Sequence, residues 1–278
     1  MYKTIVVHVS NSKGMTNTLK LAASLANRSG AHLIGTATSG LAELTYAMAM
    51  GAPVAMGPLV EADTLRIDAE RLLSSFAEHC RELGVESYET RLLDVSAEEA
   101  LLTQSRYCDL LMVSQQDVLE GGFLVTSHLN GALVSRAARP VLLVPPSCET
   151  SAPFDRVMVA WNGSLGVSHA VAFGMPLIHS AAKVYIAVCN PDLERIDVGG
   201  EPGADLATYL SRHHHDVELV RSDSDQPTEV ALTNIAREVG ADLMMTGAYG
   251  HSKLHEWVLG STTKALVDLA HIPLLMSH

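Results

Sequence analysis

Short, almost wholly apolar runs recur along this chain, and between them the apolar positions fall at i, i+3, i+4 spacing. TIVVHV (4–9), GAHLIGTAT (30–38), CDLLMVS (108–114) and RPVLLVPP (139–146) read as buried strands. Each has a counterpart half a chain later: RVMVAW (156–161), AAKVYIAVC (181–189), ADLMMTG (241–247) and IPLLMSH (272–278). The intervening TLKLAASLANRSG, LRIDAERLLSSFAEHCRELG and SAEEALLTQSRY, then SHAVAFGMPLIHS and PTEVALTNIAREVG, carry helical spacing. Ser96 with Glu99 makes a capping box, and Pro227 suits a first helical turn. Each half therefore reads β-α-β-α-β-α-β-α-β. Strands that are apolar throughout and alternate with helices predict an α/β fold, a parallel sheet covered on both faces.

The repeat places a boundary in PPSCETSAPFD (145–155), a Pro- and Ser-rich stretch without periodicity, and predicts two domains, 1–147 and 153–278. The halves differ in LAELTYAMAMGAPVAMGPLVEAD (41–63), which faces NPDLERIDVGGEPGAD (190–205). The Met- and Ala-rich stretch reads as a loop or short helix over a sheet edge, or as a lid or partner-binding surface.

Composition narrows the function classes. With 278 residues, 47% of them apolar and 18% charged, the chain has enough hydrophobic mass for two cores. It has no apolar run of the roughly 20 residues that cross a bilayer, and MYKTIVVHVS lacks a signal-peptide pattern, so a soluble, cytoplasmic protein without membrane contact is expected. The four cysteines are scattered without a CxxC pair, as reduced thiols would be. A net charge of −12 repels phosphate backbones and argues against nucleic acid as a partner.

The candidate chemistry sits in GAYGHSKLHEWVLGST (247–262), which follows one strand and opens a helix. Ligands of doubly wound sheets collect beyond the carboxyl ends of strands. There, glycines admit positive φ and close backbone approach, and loop amides can form an anion nest. Gly260, Ser261 and Thr262 start the helix STTKALVDLA, whose unpaired first-turn amides favour negative charge. Phosphate is the predicted ligand group. Neither GxxxxGK[ST] nor GxGxxG is present; the pattern is Gly-x2-Gly-x9-Gly-Ser.

With Gly247, Gly250, Gly260 and Ser261 so spaced, the motif resembles the nucleotide-binding motif of the universal stress protein family, and the repeat resembles its tandem form. The resemblance implies an adenine nucleotide alpha hydrolase-like fold with strand order 3-2-1-4-5 in each domain and pairing through the fifth strands. It implies an intramolecular pseudo-dimer, with a homodimer of chains left open. It also implies ATP, with Mg2+, in the second domain. Phosphates would lie on Gly247, Gly250, His251, Ser252, Gly260, Ser261 and Thr262, and adenosine against Asn162, Gly163 and backbone near Val188. Asn162 stands where ATP-binding relatives carry Asp. In the first half Ser114, Asp117, Ser127 and His128 replace Gly247, Gly250, Gly260 and Ser261, so a single site and a degenerate first domain are expected.

Other candidates are weaker. His213, His214 and His215 with Asp216 and Glu218 could ligate a metal, yet consecutive residues rarely face one ion. His255, Trp257 and Val258 read as packing residues, Met244 and Met245 as strand core. Asp242 reads as a strand start and Asp268 as a helix face, and neither GxSxG nor HExxH occurs. The expectation is an ATP-binding stress-response regulator acting on protein partners. The alternatives are a weak ATPase, or a non-nucleotide scaffold or small-ligand binder working through 41–63.

Overall fold

The computed structural model describes residues 1–42, 45, 49, 62–115, 129–149, 154–190, 201–213, 216–248 and 261–278. The first half supplies β1 (Thr4–His8), α1 (Met15–Ser29), β2 (His32–Thr38), α2 (Ala62–Glu82), β3 (Tyr88–Leu93), α3 (Ala97–Gln104), β4 (Leu110–Ser114), α4 (Leu129–Arg136) and β5 (Val141–Val144). The second half supplies β6 (Arg156–Ala160), α5 (Leu165–Ser180), β7 (Lys183–Cys189), α6 (Ala204–Ser211), β8 (Val217–Ser222), α7 (Thr228–Val239), β9 (Leu243–Gly247), α8 (Ser261–Leu269) and β10 (Leu274–Ser277).

These strands form one ten-stranded sheet in the order β3-β2-β1-β4-β5-β10-β9-β6-β7-β8, so each half has the order 3-2-1-4-5. Neighbours within a half are parallel, and β5 pairs antiparallel with β10 through Leu143↔Leu274, Leu142↔Leu275 and Val141↔Met276. The fifth strands thus join, as the family resemblance implies. Alternation along β1 sends Ile5, Val7 and Val9 to one face and Val6 to the other. The first face is covered by α1, α2, α5 and α6, through residues such as Leu21, Phe76, Val171 and Leu210. The second is covered by α3, α4, α7 and α8, through Leu101, Leu133, Ile235 and Leu266.

The repeat extends to particular side chains. Asp109, just before β4, accepts from the Lys3 amide at 2.6 Å and the Thr4 amide at 3.0 Å. Its counterpart Asp242, just before β9, accepts from the Asp155 amide at 2.7 Å and the Arg156 amide at 3.0 Å. Each carboxylate satisfies two strand-start donors and sets one central strand against its neighbour. Burial raises the Asp242 pKa, and these amides oppose that shift. Ser96 caps α3 by accepting from the Glu99 amide at 3.2 Å. Pro227 lies one step earlier than a first-turn residue: it is the N-cap of α7, and its carbonyl accepts from Val230 and Ala231, each at 3.0 Å.

Spacing did not reveal α4 or α6. Of residues 41–61, Leu41, Ala42, Thr45 and Ala49 are helical, and the rest of that stretch lies outside the described residues. In the boundary stretch, Cys148 and Phe154 are buried and pin its two ends to the core. All four cysteines are free, and burial pushes the Cys80 and Cys189 thiols up to about 11 and Cys108 up to about 12. Among the described residues, no helix is long and apolar enough to cross a membrane.

One row of the second face differs in kind between the halves. His8, Thr36 and Arg91 stand in register across β1, β2 and β3, where Ala160, Ala187 and Val220 stand in the other half. Gln104 of α3 crowns the polar row, its Oε1 accepting from Thr36 Oγ1 at 3.0 Å and Arg91 Nη1 at 3.1 Å. Burial lowers the His8 pKa from 6.5 to about 4. Below pH 6.5 the unfolded chain takes up a proton that the folded chain refuses, so stability falls as pH drops toward 4. Equilibrium unfolding should show wild type losing about 2–3 kcal/mol relative to His8→Ala between pH 7 and pH 4.5, on the scale of 1.36 kcal/mol per pKa unit. Parallel pH profiles for the two proteins would refute this.

Packing generates a second expectation. A methyl group added at Gly35 of β2 would lie 2.6 Å from two ring carbons of the fully buried Phe76. Gly35→Ala should cost about 1–3 kcal/mol in chemical denaturation by overpacking. Adding Phe76→Leu should recover part of that loss, giving a coupled rather than additive pair.

Candidate functional site

At the carboxyl end of β6 the chain turns through Asn162, Gly163 and Ser164 into α5. Asn162 Oδ1 accepts from the Ser164 amide at 3.1 Å, an Asx turn that employs the side-chain carbonyl an Asp would also offer. Gly163 has φ 67°, a left-handed conformation that a side chain would strain. Ser164 then caps α5, its Oγ accepting from the Val167 amide at 3.4 Å. Asn162 and Gly163 are both exposed.

Gly247 ends β9 directly against this turn. A methyl group there would sit 2.6 Å from the Val167 nitrogen and 3.0 Å from both the Gly166 carbonyl carbon and Ser164 Oγ. Opposite it, a methyl group on Gly166 would meet the Ser277 carbonyl oxygen at 2.8 Å and the Gly247 Cα at 3.3 Å. Two glycines thus face each other so that the first turn of α5 can rest on the ends of β9 and β10. This corrects the reason for a glycine at 247: it is not among the positive-φ residues, and close helix approach excludes its Cβ. Sequence reasoning missed Gly166 and Ser164. The signal was available in the repeat, because Gly14 occupies the place of Gly166 and Ser12 that of Ser164.

In the first half the same crossing is built differently. Ser114, the counterpart of Gly247, is buried, and its Oγ lies 2.5 Å from where a methyl group on Gly14 would be. A hydroxymethyl group therefore occupies the space that Gly247 leaves to α5. Ser12 Oγ is buried there without a hydrogen-bond partner among the described residues, whereas Ser164 Oγ caps its helix.

The remaining predicted residues divide by place. The β6–β7 register ends at Ala160↔Ala187, with the Trp161 amide donating to the Ala187 carbonyl at 2.8 Å. Val188 stands one step beyond that pairing; its side chain is buried, leaving backbone as the part that could face a ligand. Because β9 and β10 are parallel, α8 must run back along the sheet, so its first turn stands at the carboxyl ends of the strands. Ser261 opens α8 and Thr262 is exposed in its first turn. Asn162, Gly163 and Gly247 are thus brought together, and Val188 and the start of α8 lie at the same end of the sheet. Gly250, His251, Ser252 and Gly260 lie outside the described residues, as do His255, Trp257, Val258, Asp117, Ser127 and His128.

Met244 and Met245 are buried strand core, and Asp268 is exposed on α8. At the other end of the sheet, His213 packs edge-to-face on His179, centroids 5.5 Å apart at 74°, and on Tyr209 at 5.0 Å. His214 and His215 lie outside the described residues, while Lys183 pairs with Glu218 at 2.7 Å and Asp216 at 3.9 Å. Among the described residues no three His, Cys, Asp or Glu groups converge as metal ligands would.

Comparison with known proteins bears on this geometry. Residues 153–278 match the model of the universal stress protein family. Universal stress protein Slr1230 from Synechocystis sp. (strain ATCC 27184 / PCC 6803 / Kazusa) is 22% identical over 145 residues, covering 51% of this chain and 48% of the relative. The chain therefore spans about half the length of that curated relative. A universal stress protein from Archaeoglobus fulgidus DSM 4304 superimposes with a TM-score of 0.72 at 13% identity, covering 98% of this chain and 94% of the other. The functionally unknown protein PA1789 from Pseudomonas aeruginosa PAO1 follows with a TM-score of 0.60 at 16% identity, covering 99% and 92%. At such identities the structural likeness establishes the fold, and it does so across both halves. Residues 153–278 are thus similar in sequence to the universal stress protein family, and the whole chain shares the fold of solved universal stress proteins.

Proposed function

We propose that this chain is a cytoplasmic, ATP-binding regulatory protein of the stress-response type. It has one nucleotide site in the second half, residues 153–278, and a first half, 1–147, that does not bind nucleotide. The observation carrying this reading is the Gly247–Gly166 contact, which sets the exposed Asn162–Gly163 turn against the end of β9 at the point where strand order reverses.

The described residues fit a nucleotide. The turn after β6 and the backbone at Val188 offer hydrogen-bonding groups to adenosine, and the first turn of α8 would offer phosphate amides that have no intrahelical acceptor. The Ser261 and Thr262 hydroxyls would add donors at that turn. Asn162, Gly163, Ser164, Gly247, Ser261 and Thr262 include no carboxylate, so Mg2+ would be carried by the phosphates rather than by a protein cage. No base aimed at an attacking water is assigned among these residues, which favours a protein that reports ATP occupancy to partners over one that turns ATP over.

Isothermal titration with ATP and Mg2+ should give one site per chain in wild type. Gly260→Asp should weaken binding at least about tenfold by placing a carboxylate against phosphate. Ser261→Ala should weaken it about two- to tenfold, the value of one hydrogen bond. Equal affinities in all three proteins would remove the site from this place. Titration with cAMP, which has a single phosphate diester, separates recognition of the polyphosphate tail from recognition of the nucleoside.

A further inference from the structure

The two helices that open at the proposed site, α5 and α8, lie on opposite faces of the sheet. Each accepts a side-chain hydrogen bond from the first half of the chain. On one face, the Tyr2 hydroxyl donates to the Phe173 carbonyl of α5 at 3.0 Å. The Arg139 guanidinium lies over the Phe173 ring, 5.6 Å from its centroid. On the other face, Gln115 Nε2 donates to the Val267 carbonyl in the last turn of α8.

Both donors are held firmly. Tyr2 is 4% exposed, and burial together with the Asp109 carboxylate raises its pKa, which keeps the hydroxyl protonated. The Gln115 amide donates to the Val144 carbonyl at 2.8 Å, fixing its backbone beside β5. One acceptor sits where its helix is short of partners, and the other lies beside such a place. Val267 lies in the final turn of α8, whose carbonyls lack intrahelical amides. Phe173 follows Ala172, the carbonyl that Pro176 deprives of its usual amide.

The repeat supplies an internal control. The counterparts of Tyr2, Gln115 and Arg139 in the second half are Phe154, Ala248 and Ile272, and none has a side-chain donor. The second half cannot return these contacts to α1 and α4. At these positions, among the described residues, the support runs one way, from the half lacking the glycine motif to the half that has it.

We infer that Tyr2 and Gln115 are positioning residues through which the first half braces α5 and α8, and so sets the affinity of the nucleotide site in the second half. The ligand part of this inference rests on the reading under Proposed function. A helix transmits position along its axis: Val267 is about 9 Å from Ser261 and Phe173 about 12 Å from Leu165, at 1.5 Å per residue. Holding those carbonyls fixes the tilt with which Ser261–Thr262 and Gly163–Ser164 face the ligand.

The test compares wild type, Tyr2→Phe, Gln115→Glu, Gln115→Lys and the double variant Tyr2→Phe/Gln115→Glu. It uses ATP titration and amide hydrogen exchange over 165–177 and 262–270. Tyr2→Phe removes one oxygen and reproduces what stands at Phe154. Gln115→Glu keeps size and shape but carries only acceptors at neutral pH, while Gln115→Lys restores a donor. Each of Tyr2→Phe and Gln115→Glu should weaken ATP binding about three- to tenfold, as expected for loss of one hydrogen bond. Each should speed exchange in its own helix, and Gln115→Lys should return α8 toward wild type. Unchanged exchange overturns the brace. So does equal behaviour of Gln115→Lys and Gln115→Glu, and so does faster exchange with unaltered affinity in a wild type that binds ATP. A wild type that does not bind ATP sinks the nucleotide reading instead, and faster exchange in the variants then upholds the brace without it.

Discussion

The antiparallel pairing of β5 with β10 is the contact on which the rest of the architecture turns. Each half alone would end in a strand with an unpaired row of amides and carbonyls, flanked on both sides by buried apolar residues. Joining the two rows makes one continuous sheet and puts the most apolar strands at its centre. The outer edges are β3 and β8, which carry Glu89, Arg91, Glu218 and Arg221 in place of continuous hydrophobic runs. Arg91 pairs with Glu89 at 2.5 Å and Arg221 with Glu201 at 3.1 Å, so charge guards the places where another strand might add.

On that shared scaffold the halves have diverged by small substitutions at equivalent places. Ser114 faces Gly247, His8 faces Ala160, and Tyr2 faces Phe154. None of these changes alters the strand order, because the sheet depends on apolar alternation and on the two aspartates, Asp109 and Asp242, that seat the central strands. What they alter is local: whether a helix can close onto a strand end, whether a polar row is buried, and whether a donor reaches across the seam.

Much of the fold was legible in the sequence. Strands buried on both faces have no alternative reading when they alternate with amphipathic helices, and their repetition doubled the signal. The edge strands YETRLL and VELVRS were harder, since half-exposed positions break the apolar run. The helix α6 escaped because it begins where a Gly- and Pro-rich stretch masks its start. For the candidate site, the motif drew attention to the carboxyl end of β9, but spacing alone did not show that close packing also requires a glycine at 247. Motif spacing speaks of a ligand, whereas the Cβ of residue 247 is excluded by α5, an element lying some eighty residues upstream. Contacts such as Tyr2 to Phe173 were illegible for the same reason: they depend on how two units dock, which no local pattern encodes.

The seam also orders events during synthesis. Residues 141–144 are made early, and their partner, 274–277, emerges from the ribosome more than a hundred residues later. Until then a nascent first half presents a hydrophobic strand with open hydrogen bonds, the kind of surface that recruits chaperones or pairs with a neighbouring nascent chain. Tethering both units on one polypeptide shortens that interval to the time of translation and keeps the matching strand at high local concentration. Two separately made copies would instead have to meet by diffusion.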